Sequence, residues 1–477
     1  MDAIEFARRI AVCLPYVPNE QQALVVAALA EFVCAPPSSG AERVFMLNGY
    51  AGTGKTSLTG ALVKALRQRK IASVLLAPTG RAAKVFASYA GHQAFTIHRR
   101  IYRHPSFADN ASSASAMQEN RLHDAIFIVD EASMISAADE RNGTNLLRDL
   151  IHYVYTGDNC RLILLGDTAQ LPPVGCQESP AMNPKVLGEY GLKVTRAVLT
   201  RTNRQDSRSG ILYNATWLRK AMRKNPLPKP RIFTDGMDDV HIVGTDALID
   251  AIEAAYSRDG MTESIIITRS NLRAMQFNLG VRRHILYREE DIVEGDLLLA
   301  SKNNYFWASK VPGLAFIANG DMMKVCEVYG TEVKYGMYFA NVRLAMLEKS
   351  EIEFDAKIIL DNLNSEQATV PASLMEQMFV RIVNDPEKYS SSTPMSVRMR
   401  DLMQNPYYNA LQMKFAYAVT CHKAQGGQWS NVFVDTGYIP EDALGTDLYR
   451  WLYTSVSRAR KNLYFINPSD WMSDENH

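Results

Sequence analysis

The chain has 477 residues, 47% of them hydrophobic, and its 52 basic and 51 acidic side chains leave a formal net charge of +1. So long a chain exceeds one hydrophobic core and implies several domains, and its hydrophobic share excludes an intrinsically disordered protein. The balanced charge excludes polyanion binding by the molecule as a whole, so a nucleic acid would have to use a local groove.

Six cysteines, at positions 13, 34, 160, 176, 326 and 421, include no CxxC pair. That spacing argues against a zinc site and a disulfide framework, and the thiols are expected to be reduced and mostly buried. No stretch is long and apolar enough to span a membrane. The start, MDAIEFARRI, has no basic run leading into an apolar core, so the expectation is a cytoplasmic protein without a signal peptide.

In chain order, Pro18-Asn19-Glu20-Gln21-Gln22 opens an apolar helix, with Asn19 placed to cap it. Residues 44–47, VFML, read as a short buried strand. Directly behind it, Gly49-Tyr50-Ala51-Gly52-Thr53-Gly54-Lys55-Thr56 fits G-x-x-x-x-G-K-T without a mismatch. The glycines let backbone N–H groups converge on phosphate oxygens. Leu58, Ala61, Leu62, Ala65 and Leu66 then fall on one face of a helix, whose N-terminus adds positive character at the phosphates. The candidate ATP-binding set is therefore Gly49, Ala51, Gly52, Thr53, Gly54, Lys55, Thr56 and Ser57. Lys55 is expected to reach the β- and γ-phosphates and Thr56 to hold Mg2+.

Residues 74–78, VLLAP, form a second strand, followed by Thr79. From His98 to Asp124 the chain has no clean period and contains ASSASA, which reads as an excursion from the sheet. Residues 125–130, AIFIVD, are a strand ending in an acid, with Glu131 next. Asp130 is placed to hold Mg2+ through water, and Glu131 to polarise the water that attacks the γ-phosphate. Residues 161–165 are a further strand of the same sheet, and GDTAQLPPVG follows from Gly166. Ligands of an open α/β sheet sit at the carboxyl ends of its strands, so Gln170 can reach the γ-phosphate region. Pro172-Pro173 stiffens the exit, and a rigid segment there can pass on the loss of phosphate as a push. A motor needs such a device.

VLTRTNRQ (198–205) is a basic stretch, and SIIITRSN (264–271) begins a second sheet. IVEGDLLLASKNNYFW (292–307) and GLAFIANGDMMKVCEVYG (313–330) read as short strands with glycine turns; SEQATVPASL and SSTPMS read as loops. FAYAVTCHKAQGGQW (415–429) and LYTSVSRAR (452–460) carry the last motifs, and residues 432–434 and 463–466 are two more buried strands.

Together and in this order, GYAGTGKT, VDEAS, GDTAQLPPVG, HKAQGGQW and YTSVSRAR resemble the superfamily 1 DNA helicases, in the branch of RecD and Dda, from about Asn19 to about Ile466. The resemblance implies two RecA-like α/β domains with parallel sheets, a small hairpin insertion and an SH3-like β-barrel insertion. The boundaries expected are 1–198 for the first motor domain, with its insertion at about 99–124, then 199–289 with 412–477 for the second, and 290–411 for the barrel. It further implies that Gln22 reads the adenine edge, with Gln21 the competitor. Arg204 and Arg458 become the arginines that reach the γ-phosphate, with Arg196 and Arg201 as neighbours of the first. Gly426 faces ATP. Pro78, Thr79, Thr96 and His98 fall on the DNA side, Thr420, His422 and Lys423 on the DNA side or in the coupling, Phe107 is the wedge that splits the duplex, and Asn303, Tyr305 and Phe306 line the DNA path. Ala424 stands where the family has a serine, which removes one hydroxyl.

The implied activity is ATP-driven 5′ to 3′ translocation on single-stranded DNA with unwinding of tailed duplexes, by a monomer without a membrane partner. Two alternatives stay open on sequence: an RNA-stimulated relative, since 2′-hydroxyl contacts leave no mark in a motif, and a P-loop switch that does not unwind.

Overall fold

The computed structural model describes residues 2–37, 40–102, 117–138, 144–201, 209–314, 316–347, 349–440 and 444–472. The chain divides into two compact units, Met1–Pro230 with Leu444–Ser457, and Arg231–Ala443 with Arg458–His477.

The first unit is built on six strands: β1 Arg43–Gly49, β2 Ser73–Ala77, β3 Ala94–Thr96, β4 Ile126–Val129, β5 Arg161–Gly166 and β6 Lys193–Leu199. They form one sheet in the order β3-β2-β4-β5-β1-β6, and every pairing is parallel. Parallel neighbours require crossovers that cover both faces of the sheet, and runs such as VFML and IFIV are apolar throughout for that reason. Successive side chains go to opposite faces. Phe45 and Leu47 join a core with the helices Ala3–Cys13, Glu20–Cys34 and Lys55–Gln68. Val44 and Met46 join another with the helix Leu146–Tyr155. Leu58, Ala61, Leu62, Ala65 and Leu66 are buried, the face that the spacing assigns to the core. Each such leucine contributes roughly 1.5–3 kcal/mol by burial.

This strand order sets the carboxyl ends of β4, β5 and β1 side by side. Strand β6 was not foreseen. It pairs with β1 from Arg43↔Lys193 to Gly49↔Leu199, and its side chains are mostly exposed or half-buried, so it lacks the apolar run that marks a central strand. Around the expected insertion, Tyr102 and Met117 form an antiparallel bridge and the Gln118 N–H donates to the Ile101 carbonyl at 2.7 Å. Phe107 and Arg204 lie outside the described residues.

The second unit runs β7 Val240–Val243, β8 Ser264–Thr268, β9 Leu297–Ala300, β10 Met322–Lys334, β11 Met337–Met346, β12 Lys349–Ile359, β13 Leu411–Phe415, β14 Ala418–Thr420, β15 Trp429–Asp435 and β16 Ala459–Ile466. Five of these make a parallel sheet, β14-β8-β15-β16-β7, and β9 to β13 close into a barrel. The α/β class with a barrel insertion therefore stands as expected. Asp296, fully buried just before β9, binds Arg282 at 3.1 Å through two nitrogens, Arg288 at 2.8 Å and the Tyr417 hydroxyl at 2.9 Å. A buried carboxylate is tolerable only when it is paired in this way.

SEQATVPASL and SSTPMS run as loops up to Pro371 and Pro394, as expected, and only their last residues enter the helices Ala372–Val383 and Met395–Met403. Pro371 and Pro394 stand at the N-caps of those helices. Two expectations fail. Residues 305–310 turn, ending in a 3-10 segment Ala308–Lys310, rather than extending β9. Of the thiols only Cys160 and Cys421 are buried, while Cys13, Cys34, Cys176 and Cys326 are half-buried. No helix among the described residues is long and apolar enough to cross a membrane.

Candidate functional site

The phosphate loop joins β1 to the helix Lys55–Gln68. Gly52 and Gly54 take φ of +74° and +83°, conformations that a Cβ resists. A Cβ on Gly54 would fall 2.5 Å from the Tyr16 hydroxyl and 2.6 Å from Gln22 Nε2. Gly54 is also the cap of its helix and supplies no side chain to it. Asn19, Thr79 and Thr96, by contrast, each put an oxygen on a first-turn N–H of the helix they cap. No capping side chain therefore competes with a phosphate for the first-turn donors behind the loop. Thr53 is buried and donates its hydroxyl proton to the Tyr50 carbonyl at 2.7 Å. Thr56 is exposed and Ser57 half-buried in the first turn.

Asp130 follows the end of β4, with its Oδ1 3.9 Å from Lys55 Nζ. The same oxygen accepts from the Glu131 N–H at 2.8 Å, and Oδ2 accepts from the Tyr89 hydroxyl at 2.5 Å. Burial, reinforced by Asp130, holds the Tyr89 phenol well above its usual range, so it remains a donor. Glu131 has φ of +51°, an uncommon conformation for a residue with a side chain.

After β5, Asn48 grips Thr168 twice, accepting from its N–H at 3.1 Å and donating to its hydroxyl at 2.9 Å. The buried Asp167 accepts from the Ala169 N–H at 2.9 Å and from the Tyr453 hydroxyl at 2.7 Å. That same hydroxyl accepts the Ala51 N–H of the phosphate loop at 2.9 Å. Its neighbour Thr454 accepts the Leu171 N–H at 2.9 Å. The helix Thr446–Val456 thus ties the phosphate loop to the GDTAQL loop within the first unit. Between these ties Gln170 is buried, and its Oε1 meets no donor among the described residues.

Gln22 is also buried. Its Oε1 accepts from the Asn19 N–H at 3.2 Å, and its Nε2 donates to the Thr53 carbonyl at 3.0 Å and to the Tyr16 hydroxyl at 3.4 Å. Its amide thus closes a capping box and braces the phosphate loop. Gln21 instead receives the N–H groups of Thr200 and Arg201 at 2.8 and 3.0 Å. Arg219 stacks on the Tyr50 ring at 4.4 Å, and Arg223 donates to the Tyr50 hydroxyl at 2.6 Å.

The residues expected to touch DNA in the first unit follow β2 and β3, which are neighbours in the sheet. Pro78 and Thr79 are half-buried behind β2, Thr96 ends β3, and the His98 ring lies 5.8 Å from that of Tyr102. Thr79 and Thr96 each accept one capping N–H, from Ala82 and Arg99 at 3.2 and 3.3 Å, and neither O–H donates to a partner among the described residues.

In the second unit, Thr420 ends β14, His422 is exposed, and Gly426 turns the chain at φ +75°. Arg458 is buried and donates to the Gly427 carbonyl at 3.2 Å, so it is joined to the HKAQGG turn. Asn303, exposed on the barrel, accepts from the Asn319 N–H at 2.7 Å.

Sequence reasoning missed Tyr89, Asn48, Tyr453 and Thr454. Asn48 had a visible signal, being a polar residue at the end of an apolar strand.

Residues 19–215 match the family model of the AAA domain, and residues 415–466 that of the UvrD-like helicase C-terminal domain. Over 94% of its length the chain is 22% identical to an uncharacterised protein of Acanthamoeba polyphaga mimivirus, 99% of which it covers. Over 33% of its length it is 33% identical to the ATP-dependent RecD2 DNA helicase of Deinococcus radiodurans, of which it covers 18%. Over 59% of its length it is 24% identical to the ATP-dependent DNA helicase Dda of Enterobacteria phage T4, of which it covers 62%. The chain therefore spans less than two thirds of either helicase.

Proposed function

The chain belongs to the RecD- and Dda-like superfamily 1 helicases, and from that premise we propose that it spends ATP to move 5′ to 3′ along single-stranded DNA and to part tailed duplexes. One observation carries the reading. A phosphate loop without a capping side chain, the Lys55–Asp130 pair and a buried Gln170 with an unmet carbonyl oxygen all lie at adjacent strand ends of one sheet.

Lys55 and the loop N–H groups neutralise charge that develops on the phosphates. Glu131 takes up the proton of the attacking water, and Gln170 Oε1 orients that water by accepting from it. Mg2+, held by Thr56 and through water by Asp130, would supply neutralisation between the phosphates; these oxygen donors suit a hard cation that keeps part of its hydration shell. Asp130 uses both oxygens in hydrogen bonds, which suits an indirect hold. Arg204 and Arg458 complete the positive charge around the γ-phosphate, as the family resemblance implies. Pro78, Thr79, Thr96 and His98 offer DNA a set of contacts at and just beyond the ends of β2 and β3, on the same sheet as the nucleotide-binding strand ends.

The deciding experiment is ATP-dependent strand displacement on duplexes tailed at the 5′ or the 3′ end, with Lys55→Ala as control. The expected result is displacement of the 5′-tailed duplex alone, lost in the variant. Displacement confined to the 3′-tailed duplex overturns the polarity. ATP hydrolysis stimulated better by RNA than by single-stranded DNA overturns the substrate, and hydrolysis without any displacement reduces the protein to a switch.

A further inference from the structure

Both glutamines that could read a nucleobase are committed to the protein. Adenine offers an amide one edge with a donor and an acceptor, so a reader needs an available N–H and an available carbonyl lone pair together. Gln22 is committed on the donor side. Its two N–H groups go to the Thr53 carbonyl at 3.0 Å and the Tyr16 hydroxyl at 3.4 Å, and its Oε1 accepts from the Asn19 N–H at 3.2 Å. The residue is 1% exposed, so it presents no edge to a ligand. Gln21 is committed on the acceptor side. The two lone pairs of its Oε1 receive the Thr200 N–H at 2.8 Å and the Arg201 N–H at 3.0 Å, and its Nε2 donates to the Thr200 hydroxyl at 3.1 Å.

These bonds hold the site together. Gln22 closes the capping box of the helix Glu20–Cys34 and props Thr53, whose hydroxyl holds the Tyr50 carbonyl at 2.7 Å. Gln21 fixes the chain where it leaves β6. Turning the Gln22 amide to adenine would exchange three hydrogen bonds for two and would release the Asn19 N–H and the Thr53 carbonyl. An exchange without gain gives adenine no advantage over another base. On the proposed mechanism, the rest of the site addresses groups that all ribonucleoside triphosphates share. The uncapped first turn and Lys55 meet the phosphates, and Gln170 meets the attacking water.

We propose that this site hydrolyses GTP, CTP and UTP as well as ATP, with kcat/KM values within about tenfold of one another, since a site that makes no hydrogen bond to a group discriminates weakly against its absence. Gln22 and Gln21 are positioning residues, for the phosphate loop and for the end of β6, rather than readers of the base. The chemical step is the same for each substrate. The water oxygen bonds to the γ-phosphorus as the bond to the β–γ bridging oxygen breaks, Glu131 takes the water's proton, and the nucleoside diphosphate leaves with the bridging electron pair. This substrate range rests on the reading of the site as an ATP hydrolase.

The test is steady-state phosphate release by the full chain, with Mg2+ and single-stranded DNA, from ATP, GTP, CTP and UTP in separate reactions. Displacement of a 5′-tailed duplex driven by each nucleotide runs beside it. The wild type is expected to use all four in both assays, and Lys55→Ala to stop all four, as a single site requires. Gln22→Ala is expected to lower kcat/KM by the same factor, about tenfold, for every nucleotide, because the loop it props is common to them. A base reader would lose ATP alone. Gln21→Ala is expected to leave the ratios between nucleotides unchanged. The wild-type ratios decide the matter by themselves if a variant fails to fold. A preference for ATP of more than about tenfold over any of the others, or a loss confined to ATP in Gln22→Ala, overturns the proposal and leaves the helicase reading intact. Hydrolysis of GTP, CTP or UTP that survives Lys55→Ala belongs to another site and also overturns it. No hydrolysis of any of the four overturns the helicase reading itself.

Discussion

The phosphate loop of the first unit and, in the second, the cavity lined by Lys414, Lys423 and Thr420 carry their positive charge in opposite ways. The loop relies on backbone donors, and its cation is already matched, with Lys55 3.9 Å from Asp130. Lys414 and Lys423 in the cavity have no carboxylate partner among the described residues, and burial brings both down to about 8. A matched site holds its shape before the ligand arrives. An unmatched one carries charge that burial disfavours, and so couples stability to pH.

The sharpest contrast is between a buried charge with partners and one without. Asp296→Ala, which strands Arg282 and Arg288, is expected to cost about 3–5 kcal/mol, read as a lower denaturant midpoint. Next in size, Lys55→Ala is expected to cut ATP turnover by about two to three orders of magnitude in a steady-state assay, with little change in melting temperature. Gln170→Ala should lower kcat more than it raises KM for ATP, since the unmet Oε1 has no partner before the water is in place. Tyr453→Phe removes the ties to Asp167 and Ala51 and is expected to cost about 1–3 kcal/mol, seen both in melting and in slower turnover.

The smallest effect has the opposite sign. Lys423→Met should raise stability by about 1 kcal/mol, a melting shift of roughly 2–4 °C. The folded lysine titrates near 8 against 10.5 when unfolded, so between these values the unfolded chain holds more protons and the wild type gains stability as the pH rises. The advantage of the variant is therefore full below about pH 8 and gone above 10.5. Melting curves across that range break the comparison if the variant is less stable throughout.

What the sequence disclosed follows from separation along the chain. GYAGTGKT, the acid pair Asp130-Glu131 and the leucine face of the following helix are local patterns, and each was legible with its neighbours. The Tyr453–Ala51 contact joins residues 402 positions apart, and no spacing rule spans that distance. Gln22 shows the limit of a motif. The amide that should face adenine is engaged by Asn19, Thr53 and Tyr16, because the same residue also satisfies the start of its helix. Lys414 was passed over because a lone lysine in a strand has no pattern, and only closure of the barrel beside β14 brings it near Lys423.

The return of residues 444–457 to the first unit bears on how the molecule is made. A ribosome delivers the phosphate loop 402 residues before the phenol that braces it. Until that later helix leaves the exit tunnel, Ala51 and Asp167 lack their shared partner. A truncated product ending at Pro230 would carry every residue of GYAGTGKT without the brace that holds the loop to its neighbour.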